Sequence, residues 1–251
     1  MTTTLVVHAH PGPESFTARW AAATRDACAA LGQTVLQSDL NGTGFDPVEG
    51  PRHYADPPRP FDALKAQEQA AEAGALPTDV AEEVAKMRAA NRLVLHFPLW
   101  WFAPPAMIKG WCERALVHGL LQDADRRFDR GPCRNKSALF CVTTGASAAE
   151  SGADGREGDA RLWLMPLAMT LRYCGFDVLE PVLEHGVHGY QRGERKAALE
   201  ARLAARLAAQ VDLMTDWDTR PRLAFNADGD FGADGRLTEG APSHHPFIRR
   251  L

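Results

Sequence analysis

Residues 93–111 have the sequence LVLHFPLWWFAPPAMIKGW, and this stretch decides the fold class. The apolar run from Leu93 to Phe97 is typical of a buried strand. The segment from Pro105 onward carries Ile108 and Trp111 at helical spacing, and a proline suits the first turn of a helix. A strand, a loop and a helix therefore follow one another, which is the repeating unit of a parallel α/β sheet.

The same order of elements recurs along the rest of the chain. Apolar runs predict further strands at 5–7, 34–36, 138–142 and 178–183. Helical spacing of apolar residues predicts helices at 16–31, 61–73, 79–90, 160–173 and 194–217. Five strands alternating with helices predict a three-layer α/β fold of the flavodoxin-like type, with a five-stranded parallel sheet and helices on both faces. Ligands bind such sheets at the carboxyl ends of the strands.

Composition sets the remaining limits. The 251 residues are 45% hydrophobic with a net charge of -4, so nucleic acid is not expected as a partner. The N-terminus has no signal-peptide pattern and no apolar run approaches a membrane span, so a cytoplasmic protein is expected. Five scattered cysteines without a C-x-x-C pair argue against a disulfide framework or a zinc site. We expect one main domain, residues 1–220, and an irregular Gly- and Pro-rich extension, residues 221–251.

Two of the predicted loops offer hydrogen-bond donors at the carboxyl ends of strands. In the first, Ser15 can cap a helix whose free N–H groups would bind a phosphate, although a plain capped helix explains the pattern equally well. His8 and His10 lack further ligands, so no metal is expected. In the third loop, Thr143-Thr144-Gly145-Ala146 brings small residues close to a ligand, while Ser147 and Glu150 also fit a capping box.

The second loop contains three consecutive aromatic residues between prolines, Trp100, Trp101 and Phe102. Three neighbouring side chains of an extended segment cannot all face one interior. At least one of them is therefore expected to serve a site, and a planar cofactor would explain the group.

These loops resemble the flavin loops of the DT-diaphorase family, the FAD-dependent NAD(P)H:quinone oxidoreductases. The resemblance rests on residues 97–111, His10 with residues 15–17, and residues 143–145; residues 38–40, 45–47, 174–176 and 178–181 match in the same order. It therefore covers nearly the whole chain.

The resemblance implies a homodimer that carries FAD, with FMN less expected, and that uses NADH or NADPH to reduce a small aromatic acceptor such as a quinone. The extension would pack on the main domain or on the dimer partner. Carried over by position, the flavin-binding residues are His10, Ser15, Phe16, Thr17, Pro98, Leu99, Trp100, Trp101, Phe102, Thr143, Thr144, Gly145, Ala146 and, on a weaker match, Arg195.

The chain departs from the family pattern where the mammalian-type enzymes have a tyrosine and a histidine that relay charge and protons. Ser151 and Glu157 stand at those positions, and with Gly145 they are the candidate catalytic residues. The pocket tyrosines of the family are also missing from residues 120–129. A flavin-bearing regulatory subunit with weak turnover is therefore the alternative, whereas an α/β hydrolase is disfavoured because the G-x-S-x-G elbow is absent.

Overall fold

A computed structural model of the chain describes residues 1–250. Its strands are β1 (Thr3–His8), β2 (Thr34–Asp39), β3 (Arg92–Pro98), β4 (Ser137–Thr143), β5 (Asp177–Val178) and β6 (Val182–Glu184). Its α-helices are α1 (Phe16–Ala30), α2 (Ala63–Glu72), α3 (Thr78–Ala89), α4 (Ala106–Ala115), α5 (Ala160–Trp163), α6 (Met165–Tyr173), α7 (Gly193–Ala208) and α8 (Gln210–Thr215).

The strands form one parallel sheet in the order β2-β1-β3-β4-β5, with β6 also pairing with β4. This is the strand order of the flavodoxin-like fold, so the fold prediction is confirmed. The chain moves outward from β1 in one direction to β2 and in the other to β3. The crevice at the carboxyl ends of β1 and β3 is the position where such sheets bind ligands.

Helices cover both faces of the sheet, and each face has its own apolar core. On one face, α1, α7 and α8 pack through Trp20, Leu203 and Met214. On the other face, α3, α4 and α6 contribute Val84 and Trp111, among others. Successive residues of β3 point alternately into the two cores. The continuous apolar run of this strand in the sequence follows from burial on both sides.

Three predicted elements are interrupted in the structure, and prolines explain two of the breaks. The predicted strand 178–183 is divided into β5 and β6, because Pro181 cannot donate to the ladder and Glu180 N–H donates instead to Pro221 O (2.9 Å). The predicted helix 160–173 is divided into α5 and α6 at Leu164, since Pro166 lies in the first turn of α6 and cannot donate to the preceding turn.

The third break divides the predicted helix 194–217 into α7 and α8, followed by a 3-10 turn at 216–218. No glycine or proline lies at this point. The buried side chain of Gln210 instead accepts from Trp20 Nε1 and donates to Thr24 Oγ1, both at 2.8 Å. Helix α4 also begins one residue later than predicted, with Pro105 as the capping residue.

The C-terminal segment runs over the main domain. Leu223 N–H donates to Val178 O at 2.8 Å, and the side chains of Leu223 and Phe225 pack against the apolar core. Further along, Asp228 N–H donates to the carboxylate of Asp129 at 2.6 Å. The segment is thus attached to strand β5 and to the loop that precedes β4.

Two other features of residues 1–250 bear on function. No helix in this range combines the length and apolar character needed to cross a membrane, and no group of three or more His, Cys, Asp or Glu side chains is placed to hold a metal ion. All five cysteines are buried free thiols.

Candidate functional site

The first loop joins β1 to α1 and directs hydrogen-bond donors outward. Ser15 caps α1, accepting from Ala18 N–H at 3.2 Å, and the first amides of a helix have no acceptor within it. His10 Nδ1 accepts from Gly12 N–H at 2.9 Å, so a neutral His10 ring carries its proton on Nε2. The loop therefore presents several N–H donors and the positive end of a helix dipole, which suits a phosphate.

Phe16 and Thr17 lie in the same loop-to-helix junction, but their side chains face the interior. Phe16 is 7% exposed and its ring lies 5.4 Å from that of Trp20, and Thr17 is 3% exposed. Phe16 and Thr17 can therefore contact an anion through their backbone amides at the start of α1, and not through their side chains.

The second loop ends β3 in a tight turn. Trp100 and Ala103 exchange backbone hydrogen bonds of 3.0 and 3.2 Å, and the central residues Trp101 and Phe102 have φ angles of 53° and 63°. This left-handed conformation is disfavoured for large side chains. Trp101 is 92% exposed and Phe102 53% exposed, so the strained turn displays two aromatic rings to solvent. Backbone strain of this kind concentrates at functional sites.

A cleft of about 270 Å³ lies between the second and third loops. The residues lining it are Leu99, Trp101, Phe102, Thr144, Gly145, Ala146, Glu157 and Trp163. The rings of Phe102 and Trp163 meet edge to face at 4.9 Å, and a methyl group added at Gly145 would meet nothing within 4 Å. The cleft thus has aromatic groups on one side and a small-residue backbone on the other.

The rest of the second loop, Pro98 to Trp100, connects the aromatic turn to the sheet and to the first loop. Pro98 is buried at the end of β3, opposite Thr143 of β4. Leu99 N–H donates to Thr143 O at 2.7 Å, and Trp100, 46% exposed, lies with its ring 5.9 Å from that of His10. Trp100 therefore bridges the first loop and the aromatic turn.

The third loop is held by its own hydrogen bonds and by the segment after β6. Ser147 and Glu150 form the reciprocal capping pair, with Glu150 N–H donating to Ser147 Oγ at 3.2 Å and Ser147 N–H to Glu150 Oε2 at 3.1 Å. Gly186 N–H donates to Ala146 O at 2.8 Å. These bonds fix the backbone around Gly145 and hold its position at the cleft.

Ser151 is not among the residues lining the cleft; it is 3% exposed and hydrogen-bonded to His185. Its hydroxyl donates to Ser147 O at 2.8 Å, so in the 2.9 Å contact with His185 Nδ1 the imidazole must be the donor. Burial lowers the pKa of His185, opposed by Glu184 and aided by Arg202. Because Nδ1 carries a proton, a neutral His185 ring has an unprotonated Nε2.

The last two predicted residues lie in different surroundings. Glu157 is half-buried and lines the cleft, while its N–H donates to Glu150 O at 3.0 Å. Arg195 is exposed in the first turn of α7 and does not line the cleft. The structure thus brings Glu157 to the small-residue loop and leaves Arg195 outside it.

The sequence analysis missed one residue that lines the cleft, Trp163, and one that contacts Ser151 behind it, His185. Trp163 lies in an apolar helical pattern that predicts core, yet its ring forms part of the cleft. His185 follows β6 beside the third loop, and the parallel pairing of Thr143 with Glu184 places it there. Trp163 and His185 reach these positions because of how the chain runs between the strands. The sequence around each residue contained no pattern that would have predicted this.

The donor set and the shape of the site fit a flavin. Exposed aromatic rings facing a small-residue backbone suit a planar ring system, and the helix N-terminus with its free amides suits a phosphate. Both parts lie at the carboxyl edge of the same sheet.

Comparison with known proteins identifies the family of the chain. A family model described as a flavodoxin-like fold, Flavodoxin_2, matches residues 2–210. Ribosyldihydronicotinamide dehydrogenase (quinone) of Mus musculus is 36% identical over 199 residues, which is 78% of this chain and 86% of the mouse protein. NAD(P)H dehydrogenase (quinone) 1 of Rattus norvegicus is 34% identical over 187 residues, or 73% of this chain and 68% of the rat protein.

Solved structures show the same fold. One from Klebsiella pneumoniae has a TM-score of 0.83 at 24% identity and covers 94% of both chains. General stress protein 14 of Treponema denticola, solved in complex with FMN, has a TM-score of 0.57 at 20% identity and covers 85% of this chain and 99% of its own. Because the family model spans most of the chain and the mouse relative is 36% identical over most of its own length, the chain belongs to the flavodoxin-like family Flavodoxin_2.

Proposed function

We propose that this protein is a flavin-dependent reductase that uses NAD(P)H to reduce a quinone or a similar aromatic electrophile by two electrons. The observation that carries the proposal is the cleft at the sheet edge, where an exposed aromatic turn faces the Thr144–Ala146 backbone. The relatives at 34–36% identity are named as quinone dehydrogenases, which supports the same chemistry here.

We propose FAD as the flavin, as the sequence resemblance implies. His10, Ser15 and the amides of Phe16 and Thr17 would hold its phosphates. Pro98 to Phe102 and Thr143 to Ala146 would flank its ring. A bound flavin accepts a hydride and passes two electrons on, which is chemistry that protein side chains do not supply. The protein's own task is to orient the ring, exclude water and deliver a proton.

Glu157 is the side chain that we propose for proton delivery, because it is the one carboxyl among the residues lining the cleft. It would act as general acid toward the acceptor, and Gly145 would contribute its backbone N–H to the same wall. Ser151 is buried behind the loop, where it fixes the ring of His185. We therefore assign Ser151 a positioning role. The exposed Arg195 is a candidate for binding the outer, adenine end of FAD.

The assembly that we propose is a homodimer in which residues 1–220 form the flavin-binding domain and the extension, residues 221–251, packs on that domain or on the dimer partner. Support comes from apolar surface around a cavity of about 690 Å³ between α2, α4 and α6, where Leu64 is 52% and Phe247 51% exposed. Apolar groups of this kind mark interaction surfaces when they are contiguous.

Steady-state oxidation of NADPH with a simple benzoquinone tests the proposed activity. A reductase should turn over within the usual enzymatic range of about 1–1000 per second. Trp101→Gly should lower this rate, and Asn135→Gly is the matched control, because Asn135 has the same left-handed backbone (φ 69°) in an exposed loop outside the cleft. Turnover far below this range would favour a flavin-bearing regulatory subunit instead.

A further inference from the structure

Part of the cleft wall comes from the segment that follows the third loop. Trp163, the last residue of α5, lines the cleft together with Glu157. The flavin contacts that we propose are made by the first loop and by residues 98–102 and 143–146, and Glu157 is the proposed proton donor. Trp163 is therefore the one aromatic side chain of the cleft that has no role in these assignments.

Several contacts fix the position of the Trp163 ring. At the start of α5, Ala160 is buried and its N–H donates to Ser151 O at 3.0 Å. The indole packs partly against the apolar core, and the Phe102 ring meets it edge to face at 4.9 Å. A ring that is already held in place loses little further freedom when a ligand binds to it, which favours affinity.

The indole N–H of Trp163 is a free hydrogen-bond donor. Within residues 1–250, Nε1 makes no hydrogen bond and is not among the buried polar atoms that lack a partner, so it is accessible to solvent. A Cβ atom added at Gly158 would lie 3.8 Å from Nε1, which places the N–H edge of the ring beside the residue that follows Glu157. Because an indole N–H only donates, the group that pairs with it must be an acceptor.

Glu157 supplies a carboxyl group from the same segment of the chain. The neighbouring arginines pair with other acids, Arg156 with Glu150 at 2.5 Å and Arg161 with Asp159 at 3.8 Å. The cleft thus combines an N–H donor, a carboxyl group and aromatic rings. This combination suits a planar molecule with an oxygen atom that first accepts a hydrogen bond and then takes up a proton.

On the basis of the reductase function proposed for this cleft, we propose that Trp163 Nε1–H donates a hydrogen bond to a ring carbonyl of the acceptor. Trp163 is then the residue that selects acceptors of the quinone class over planar molecules without a carbonyl group. A quinone that accepts the hydride supplied by NAD(P)H becomes a hydroquinone monoanion, with its negative charge on an oxygen atom. The N–H group stabilises that charge, and one proton from the Glu157 carboxyl completes the hydroquinone.

Binding of anthraquinone-2-sulfonate, compared with anthracene-2-sulfonate, tests this role of Trp163. The two compounds have the same ring system and the same charge, and only the quinone carries carbonyl groups. Calorimetric titration of the FAD-loaded protein without NAD(P)H keeps the measurement independent of turnover. The quinone should bind roughly 2- to 12-fold more tightly than the hydrocarbon, which is the usual effect of one hydrogen bond.

Two replacements of Trp163 should remove this preference. Trp163→Phe keeps an aromatic ring against Phe102 but has no N–H group. The benzothiophene analogue of tryptophan at the same position keeps the shape of the indole and replaces only the N–H by sulfur, so the result does not depend on how well the phenylalanine variant folds. Trp217→Phe is the matched control, because Trp217 is buried outside the cleft and its N–H donates to Ser137 Oγ at 2.8 Å. The control should retain the full preference for the quinone.

Two results would overturn the role proposed for Trp163. One is equal binding of the quinone and the hydrocarbon by the unsubstituted protein, and the other is a preference that the benzothiophene analogue leaves intact. If the analogue instead raises the Kd for FAD, the N–H group binds a carbonyl of the flavin and not of the acceptor. NADPH oxidation with benzoquinone, measured on the same unsubstituted protein, separates the two claims. Normal turnover with either overturning result refutes only the role of Trp163, whereas no turnover refutes the proposed function and this role with it.

Discussion

Replacing Trp101 with glycine should weaken flavin binding without weakening the fold. Trp101 is 92% exposed at the tip of the aromatic turn and has a φ angle of 53°. Its side chain therefore contributes almost no buried apolar surface to folding, and its backbone conformation is unfavourable for any residue with a Cβ atom.

The magnitude follows from two opposing backbone effects. The left-handed conformation costs an L-residue about 1–2 kcal/mol, which glycine avoids. Glycine loses about 0.5–1 kcal/mol more backbone entropy on folding. The free energy of unfolding of the variant should consequently be between equal to that of the unsubstituted protein and about 1.5 kcal/mol higher. By contrast, truncating a buried tryptophan such as Trp20, which is 0% exposed, costs about 3–5 kcal/mol.

Flavin affinity, in contrast to stability, should decrease in the Trp101→Gly variant. Loss of one aromatic contact with the ring is worth about 0.5–1.5 kcal/mol, or roughly a 2- to 12-fold rise in Kd. Thermal unfolding of the flavin-free protein and fluorescence titration with FAD measure the two quantities separately. Asn135→Gly should show the relief of strain without the loss of affinity. A stability loss of several kcal/mol, or an unchanged Kd, would show that the turn belongs to the folded core and not to the flavin site.

Three further predictions concern single side chains, and a fourth the assembly. Glu157→Gln should slow reduction of the acceptor at least about tenfold in stopped-flow measurements while flavin affinity stays unchanged; a change under about twofold in both half-reactions would leave water as the proton source. Ser151→Ala removes the acceptor of His185 Nδ1–H and should lower the free energy of unfolding by about 1–3 kcal/mol, and no measurable loss would contradict the hydrogen-bond chain. Burial lowers the pKa of His96 to about 3, so as the pH falls the imidazole is protonated in the unfolded chain before it is protonated in the folded one, and the free energy of unfolding decreases from about pH 6.5 toward 3. In urea unfolding, His96→Gln should reduce the decrease in this free energy between about pH 7 and 4.5 by roughly 2–3 kcal/mol. A pH profile that the substitution leaves unchanged would refute this. Light scattering should find a homodimer, and an active monomer at micromolar concentration would refute it.

Much of the fold was predictable because burial on both faces leaves a strong pattern. Strands β1, β3 and β4 contain continuous apolar runs, and each strand extends only one or two residues beyond its predicted range at each end. The breaks at Pro166 and Pro181 could have been found from their chemistry, since neither residue can donate a hydrogen bond. The break at Gln210 could not, because it depends on contacts with Trp20 and Thr24 nearly two hundred residues away.

The site was predictable only where local sequence determines local geometry. The Ser15 cap and the exposure of the aromatic turn follow from short motifs and are present. The inward packing of Phe16, the contribution of Trp163 to the cleft and the Ser151 to His185 contact depend on how distant segments meet. Such contacts are set by tertiary packing, for which a single sequence has no local signal.

The visible absorption spectrum of the purified protein, followed by mass identification of the released cofactor, tests the central claim most directly. The arrangement of the first loop, the aromatic turn and the Thr144–Ala146 backbone predicts a yellow protein that releases FAD. A protein that is colourless and takes up neither FAD nor FMN on incubation would contradict the assignment of this sheet edge as a flavin site.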